Sequence, residues 1–131
     1  MNISEVAKLT GLTAKTIRFY ESKGVISEPR RSDNGYRIYH QKQIDELILI
    51  RRSRMVGFSL DECLDLLGWA NNPNRRSADV KAKTLKKISE IEEKVNELEL
   101  MKETLTALAV SCPGDDSAEC PIIDGLCQHG K

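Results

Sequence analysis

A chain of 131 residues is long enough for one ordinary domain, or for a small domain with an extended appendage. Aromatic residues make up 5% and charged residues 31%, a balance that suits a helical protein with a modest core and a large wetted surface. No apolar run approaches the roughly 20 residues that cross a bilayer, and the opening Met1-Asn-Ile-Ser-Glu5 lacks the basic and apolar regions of a signal peptide, so no membrane partner is expected.

The expected setting is therefore cytosolic, where thiols stay reduced. Four cysteines there read first as metal-binding or buried thiols and not as a disulfide framework. The formal net charge of zero hides an asymmetry. Residues 1–60 hold eleven Lys/Arg against six Asp/Glu, a net of +5, and residues 61–131 hold nine against fourteen, a net of −5. A basic N-terminal half points to a polyanion partner for that half alone.

Ser4 is a candidate N-cap with Glu5 in the first turn, for a short helix that runs to about Thr10. Gly11-Leu12 makes a turn, and Thr13 caps a second helix from Ala14 to Lys23, closed by Gly24. Two short helices across a tight Gly-containing turn form a helix-turn-helix, with Val6, Ala7, Leu9, Leu12 and Ile17 as the expected apolar seam. Lys15, Arg18 and Lys23 lie on the second helix with Tyr20 among them. Val25-Ile26 and Tyr36–Tyr39 read as short strands around Asn34-Gly35, a strong hairpin signal because both residues tolerate positive φ. Arg30, Arg31 and Arg37 flank this turn and make it a basic wing.

A third helix is expected from Gln41 to Val56, carrying Ile44, Leu47, Ile48 and the cluster Arg51, Arg52, Arg54, with its stop at Gly57. Ser59-Leu-Asp-Glu62 is a capping box, with Phe58 and Cys63 at the two hydrophobic-staple positions. The fourth helix that it opens should bury Leu60, Leu64 and Leu67 and end near Trp69. The resulting organisation is a winged helix-turn-helix headpiece over 1–70, a linker over 71–76, a long helix over 77–110, and a loop with a tail over 111–131. The fold class is mainly α.

The long helix has Ser77 as its expected N-cap and contains neither Gly nor Pro up to Val110. Its heptad places Ile88, Val95, Lys102 and Ala109 at a, and Ile91, Leu98 and Leu105 at d. At about 1.5 Å per residue it would be roughly 50 Å long, too long to bury its seam on a compact headpiece. It needs a partner, and a second copy of itself is the simplest one.

The same register makes Cys112 the next d position, after which Pro113-Gly114 breaks the helix. Cys112-Pro-Gly-Asp-Asp-Ser-Ala-Glu-Cys120 then sets a thiol at each end of a turn-rich loop, and each thiol adjoins a proline. Thiolates are soft ligands suited to Cu(I), Zn(II) and similar ions. Zinc wants four ligands, or three plus water, and this loop offers two, so zinc would need outside donors. Asp115 and Asp116 are hard oxygens expected to face water, and two independent thiols or a redox-active pair are the alternatives to a metal site. Cys63 reads as a small hydrophobe. Cys127, with His129 two residues on, lies in a short Gly-containing tail where mobility is expected.

Ile3-Ser-Glu-Val-Ala7, Thr16-Ile-Arg-Phe-Tyr-Glu21 and Asn34-Gly-Tyr-Arg37 together resemble the DNA-binding headpiece of MerR-type transcription regulators. The order of headpiece, long helix and terminal cysteine loop fits this family along nearly the whole chain, and the loop with Ser77 is similar to that of its copper-responsive branch. The resemblance implies a bacterial, cytoplasmic homodimer whose antiparallel coiled coil brings each cysteine loop near the other subunit. It implies Cys112 and Cys120 as the metal ligands. In divalent-metal members the position of Ser77 is a cysteine, so serine here leaves two thiolates, suited to linear Cu(I), Ag(I) or Au(I). Ser77 and Lys81 would stand beside that site, with Lys81 and the helix N-terminus offsetting its negative charge. Double-stranded promoter DNA would be bound through Lys15, Arg18, Tyr20, Arg31, Tyr36, Arg37 and Arg54. The implied action is to bend and untwist an over-long promoter spacer so that RNA polymerase can engage both of its recognition elements.

Two rivals share the scaffold: a divalent-metal (Zn, Cd or Hg) sensor with an outside donor, and a thiol redox sensor. No nucleophile–base set, Gly-rich phosphate loop or carboxylate pair suggests an enzyme.

Overall fold

The computed structural model describes residues 1–127; His129 lies outside the described residues. Helix α1 (Ile3–Thr10) begins two residues earlier than Ser4 suggested, because the Asn2 side chain accepts from the Glu5 amide at 2.9 Å and caps it. Its far end turns at Gly11, φ 74°, where the Arg51 guanidinium donates to the Thr10 carbonyl at 3.3 Å. A side chain at Gly11 would collide with that guanidinium. Thr13 caps α2 (Ala14–Ser22) by accepting from the Thr16 amide at 3.1 Å, as its sequence position predicts.

The end of α2 corrects the expected strand at Val25-Ile26. Gly24 takes φ 70°, its amide donates to the Glu21 carbonyl, and the Val25 amide donates to the Tyr20 carbonyl at 2.9 Å. These two bonds are a Schellman motif, so the Val25 N–H is committed to closing the helix and not to a sheet. Val25 and Ile26 are buried in the core. The strands are instead β1 (Arg30–Arg31) and β2 (Arg37–Ile38), antiparallel with Arg30 opposite Ile38 and Arg31 opposite Arg37. At the tip the Ser32 amide donates to the Tyr36 carbonyl, and the Gly35 amide to the Ser32 carbonyl. Only Gly35 has positive φ, 80°, so this is a three-residue loop with its left-handed residue at Gly35 and not a two-residue Asn-Gly turn.

Helix α3 (Gln41–Met55) presents Ile44, Leu47 and Ile50 to the core, and α4 (Leu60–Ala70) adds Cys63 and Leu67. The capping box of α4 forms in full: the Glu62 amide donates to Ser59 Oγ at 3.2 Å and the Ser59 amide to Glu62 Oε1 at 2.8 Å. Phe58 and Cys63 are both buried, as the staple requires. Leu9 and Leu64, expected inside, are exposed; Ile17 and Val6 fill the α1–α2 seam, and Cys63 takes the place expected of Leu64. Burial pushes the Cys63 thiol up, which keeps it protonated and unreactive.

Helix α5 (Ser77–Ser111) includes Ser77 as its first residue, so Ser77 is inside the first turn and not its cap. The chain forms two compact units, Met1–Lys87 and Ile88–Lys131, and the division falls within α5. The first turns of α5 belong to the headpiece unit because Lys83 pairs with Asp65 at 3.0 Å and Lys87 with Glu62 at 2.8 Å, while the Lys87 ammonium stands 5.7 Å from the Phe58 ring centre. Lys87 and the capping bond hold the Glu62 carboxyl at about 2, below its ordinary 4.5. A depressed carboxyl contributes stability that is present above its unfolded value and is lost as pH falls through its folded one. Glu62→Gln should therefore lower stability near neutral pH, with the difference from the parent shrinking between about 4.5 and 2, as read by denaturant unfolding at a series of pH values. A constant difference across that range would leave the ion pair without a role.

In the second unit α5 carries exposed Ile88, Ile91, Val95, Leu98 and Leu105. Pro121–Cys127 forms α6, so Cys127, expected in a mobile tail, ends a helix. Pro121 suits the first helical position. Gly125 lets α6 approach α5 closely, since a Cβ there would lie 2.6 Å from Leu108 Cδ2. No described helix is long and apolar enough to cross a membrane.

Candidate nucleic-acid interface and metal centre

Helix α2 is fixed from behind by Ile17 and Tyr20, both buried in the core. Helical periodicity then turns Lys15, Arg18, Phe19 and Lys23 outward. The Lys23 ammonium stands 5.8 Å from the centre of the exposed Phe19 ring. Beside α2 the wing offers exposed Arg30 and Arg31, and Tyr36 at its tip is 73% exposed. Arg31 Nη1 donates to the Gly35 carbonyl at 3.1 Å, which ties one basic head to the hairpin loop. A groove of about 420 Å³ separates α2 from the wing and is lined by Arg18, Arg31 and Arg37 together with Glu21 and Glu28. A second groove, about 460 Å³, lies between Lys15, Phe19 and Tyr20 of α2 and Arg54 and Leu60 beyond it. Arg54 Nη1 donates to the Phe58 carbonyl at 3.3 Å, so it is anchored at the α3–α4 turn.

Lys15 and Arg54 thus share one groove, Arg18, Arg31 and Arg37 the other, and Tyr36 stands with Arg18 and Arg37 in a hollow beside the wing. Tyr20 is different: its ring is part of the core. Arg37 is also engaged, through Nε to Glu21 Oε1 at 2.6 Å, and Tyr39 donates its hydroxyl to Glu21 Oε2 at 3.0 Å. The Glu21 hydrogen bond and charge raise the Arg37 guanidinium further, and burial with the same carboxylate pushes the Tyr39 phenol up to about 12, so Tyr39 remains a donor. Glu21 received no role in the sequence reading. Its signal was present, because it is the sole acid on α2, a helix otherwise basic.

In the second unit Cys112 follows the last residue of α5, with its amide donating to the Ala109 carbonyl at 3.2 Å. Gly114, φ 63°, turns the chain away. Asp115 Oδ1 accepts from the Ser117 amide at 2.9 Å, which shapes the loop, and the Ser117 side chain together with that amide holds the exposed carboxyl below its ordinary range. Cys120 closes the loop just before α6, and its carbonyl accepts from the Asp124 amide at 3.0 Å. Cys112 and Cys120 are both half-buried free thiols, whereas Cys127 is exposed at the end of α6. Because α6 packs back on Leu108 of α5, the two loop thiols stand at the two ends of one reversal of the chain. Ser77 and Lys81 are exposed in the first turns of α5, at the end opposite Cys112. Among the described residues no three Cys, His, Asp or Glu side chains converge on a metal position. The two loop thiols are soft donors, and the Asp115 carboxylate beside them is engaged in a turn bond.

A helix-turn-helix with a basic wing, followed by a long helix with an exposed apolar seam, defines a DNA-binding transcription regulator. Models of two family segments match the chain, "MerR HTH family regulatory protein" over residues 1–68 and "MerR, DNA binding" over residues 44–108. The chain belongs to the MerR family of helix-turn-helix regulators. It is 59% identical over 133 residues to the HTH-type transcriptional regulator CueR of Salmonella typhimurium strain LT2, with all of this chain and 96% of that one aligned. Among solved structures it is similar to the transcription regulator PbrR691 of Ralstonia metallidurans CH34 in complex with lead(II), at 34% identity and TM-score 0.83, covering 96% of this chain and 98% of that one. It is also similar to MerR of Bacillus megaterium MB1 in complex with mercury(II), at 33% identity and TM-score 0.75, covering 98% and 100%. With transcription regulators as its relatives, the chain is a regulator and not an enzyme.

Proposed function

We propose that this chain is a cytoplasmic, homodimeric activator that senses Cu(I), with Ag(I) and Au(I) as substitutes, through Cys112 and Cys120, and that it switches on copper-efflux or detoxification genes. The donor set carries this reading. Two thiolates around a monovalent ion give a linear site of net charge −1, whereas Ser77 withholds the third thiolate that a divalent ion would use. Similarity to CueR and to family members solved with lead(II) and mercury(II) supports a metal effector.

Antiparallel pairing of α5 through Ile88, Ile91, Val95, Leu98 and Leu105 would place Ser77 and Lys81 of one chain near the cysteine loop of the other. Lys81 then offsets the site's negative charge. DNA contact runs through Lys15 and Arg18 on α2, Arg31, Tyr36 and Arg37 on the wing, and Arg54 at the α3–α4 turn, with Tyr20 holding α2 in place from the core. Metal affinity that differs between two dimer states shifts their populations. The favoured state bends the promoter so that RNA polymerase can use it, at a cost set by the deformability of the spacer.

An anaerobic competition titration of the dimer with Cu(I) and Zn(II), read with chromophoric chelators, tests the ion. Cu(I) should hold the Cys112–Cys120 site against a large excess of zinc. Tighter zinc binding at that loop would replace this reading with the divalent-metal sensor.

A further inference from the structure

The groove between α2 and the wing holds two acids, Glu21 and Glu28, where a polyanion partner would be repelled. Glu21 is nearly buried, with a side chain 9% exposed, and both of its oxygens are used: Oε1 by Arg37 Nε and Oε2 by the Tyr39 hydroxyl. Arg37 is held from one edge only. Among the described residues Glu21 is the hydrogen-bond partner of its guanidinium, and the side chain is still 35% exposed. The two Nη groups stay available, on the same groove that Arg18 and Arg31 line.

We propose that Glu21 is a positioning residue: from α2 it grips the Nε edge of the wing's Arg37 and turns that guanidinium's Nη groups toward a DNA backbone phosphate in the groove. This rests on the reading of Arg37 as a DNA contact. A planar guanidinium matches a phosphate with two parallel N–H groups, and a carboxylate on its third edge fixes the plane without competing for those groups. The same clamp joins α2 to β2, so the helix and the wing meet the duplex at a fixed spacing. Tyr39 completes it by satisfying the second carboxylate oxygen from within the core, where it is 1% exposed.

Charge alone and positioning predict opposite signs. Glu21→Gln removes a negative charge from a DNA-facing surface, and by Coulomb repulsion that should tighten binding. With a positioning role it should weaken binding about tenfold, the loss expected for one charge-assisted contact. The probe is a fluorescein-labelled duplex that the full-length parent enriches from a random pool, followed by anisotropy over a range of salt concentrations. In an Arg37→Ala background, Glu21→Gln should produce no further weakening, because the group it positions is gone. Arg37→Lys keeps the charge but lacks the planar fork, so it should also weaken binding about tenfold at low salt. That variant decides the matter if Glu21→Gln proves unfolded by circular dichroism. Unchanged or tighter binding by folded Glu21→Gln, additive losses in the double variant, or full activity of Arg37→Lys would each overturn the inference. A parent that enriches no duplex would overturn the DNA-contact reading itself, and the inference with it.

Discussion

Cys112→Ser and Cys120→Ser, each made in the full chain, should abolish metal-dependent transcription while leaving operator affinity within about twofold of the parent. A two-donor site has no redundancy. Loss of one thiolate leaves a single sulfur and a hydroxyl that stays protonated near neutral pH and is a poor donor for a soft ion. Removing the partners that merely orient a ligand costs about 10- to 100-fold in metal affinity, so losing a ligand should cost more than about 100-fold. The two headpiece grooves lie in the unit Met1–Lys87 and the thiols in the unit Ile88–Lys131, which is why DNA binding should survive. In vitro transcription from the selected promoter, with and without Cu(I), gives one readout, and anisotropy on the same duplex gives the other. Parallel loss of DNA binding would make the loop a structural element. A retained metal response would move the site away from this loop.

The headpiece was legible where the physics is local. Thr13, Ser59 and Glu62 act within three residues of their own positions, so their caps can be read from spacing alone. Val25-Ile26 misled because two β-branched residues have the composition of a strand, while the bonds that decide their conformation run back to Tyr20 and Glu21. Asn34-Gly35 marked the turn of the hairpin, but its first strand is Arg30–Arg31, and one positive φ, at Gly35, suffices for the loop. Helix α6 was hidden for a different reason. Gly125 is a poor interior helix residue, and its merit shows only where Leu108 of α5 leaves no room for a Cβ.

The candidate site divides in the same way. Cys112 and Cys120 stand out by residue type, and their loop could be placed at the end of a helix by register. The basic residues could be counted, but their work could not be apportioned. Nothing in the spacing of Glu21, Arg37 and Tyr39 says that one carboxylate takes both partners, since Arg37 lies sixteen residues from Glu21 and Tyr39 eighteen. The ion pairs from Lys83 and Lys87 to α4 were equally invisible, because side chains eighteen or more residues apart meet only after the chain folds.

Leu98→Asp should separate the subunits. Leu98 occupies a d position and is 62% exposed in one chain, with Ile91 and Leu105 on the same stripe. Burying one leucine is worth about 1.5–3 kcal/mol, and a symmetric interface counts it twice, so the dimer loses roughly 3–6 kcal/mol before the carboxylate's desolvation is added. The dimer dissociation constant should rise by about 10²- to 10⁴-fold, as measured by sedimentation equilibrium. Circular dichroism should still report a folded headpiece, because the core cluster lies entirely within residues 6–67. Operator binding should weaken steeply, because two linked headpieces engage a duplex with an effective concentration that one headpiece lacks. The metal response should fail as well, since in the proposed antiparallel dimer Ser77 and Lys81 reach a cysteine loop by way of the partner helix. A variant that stays dimeric would place the subunit contact on another face of α5, and the cross-chain neighbourhood proposed for Cys112 and Cys120 would go with it.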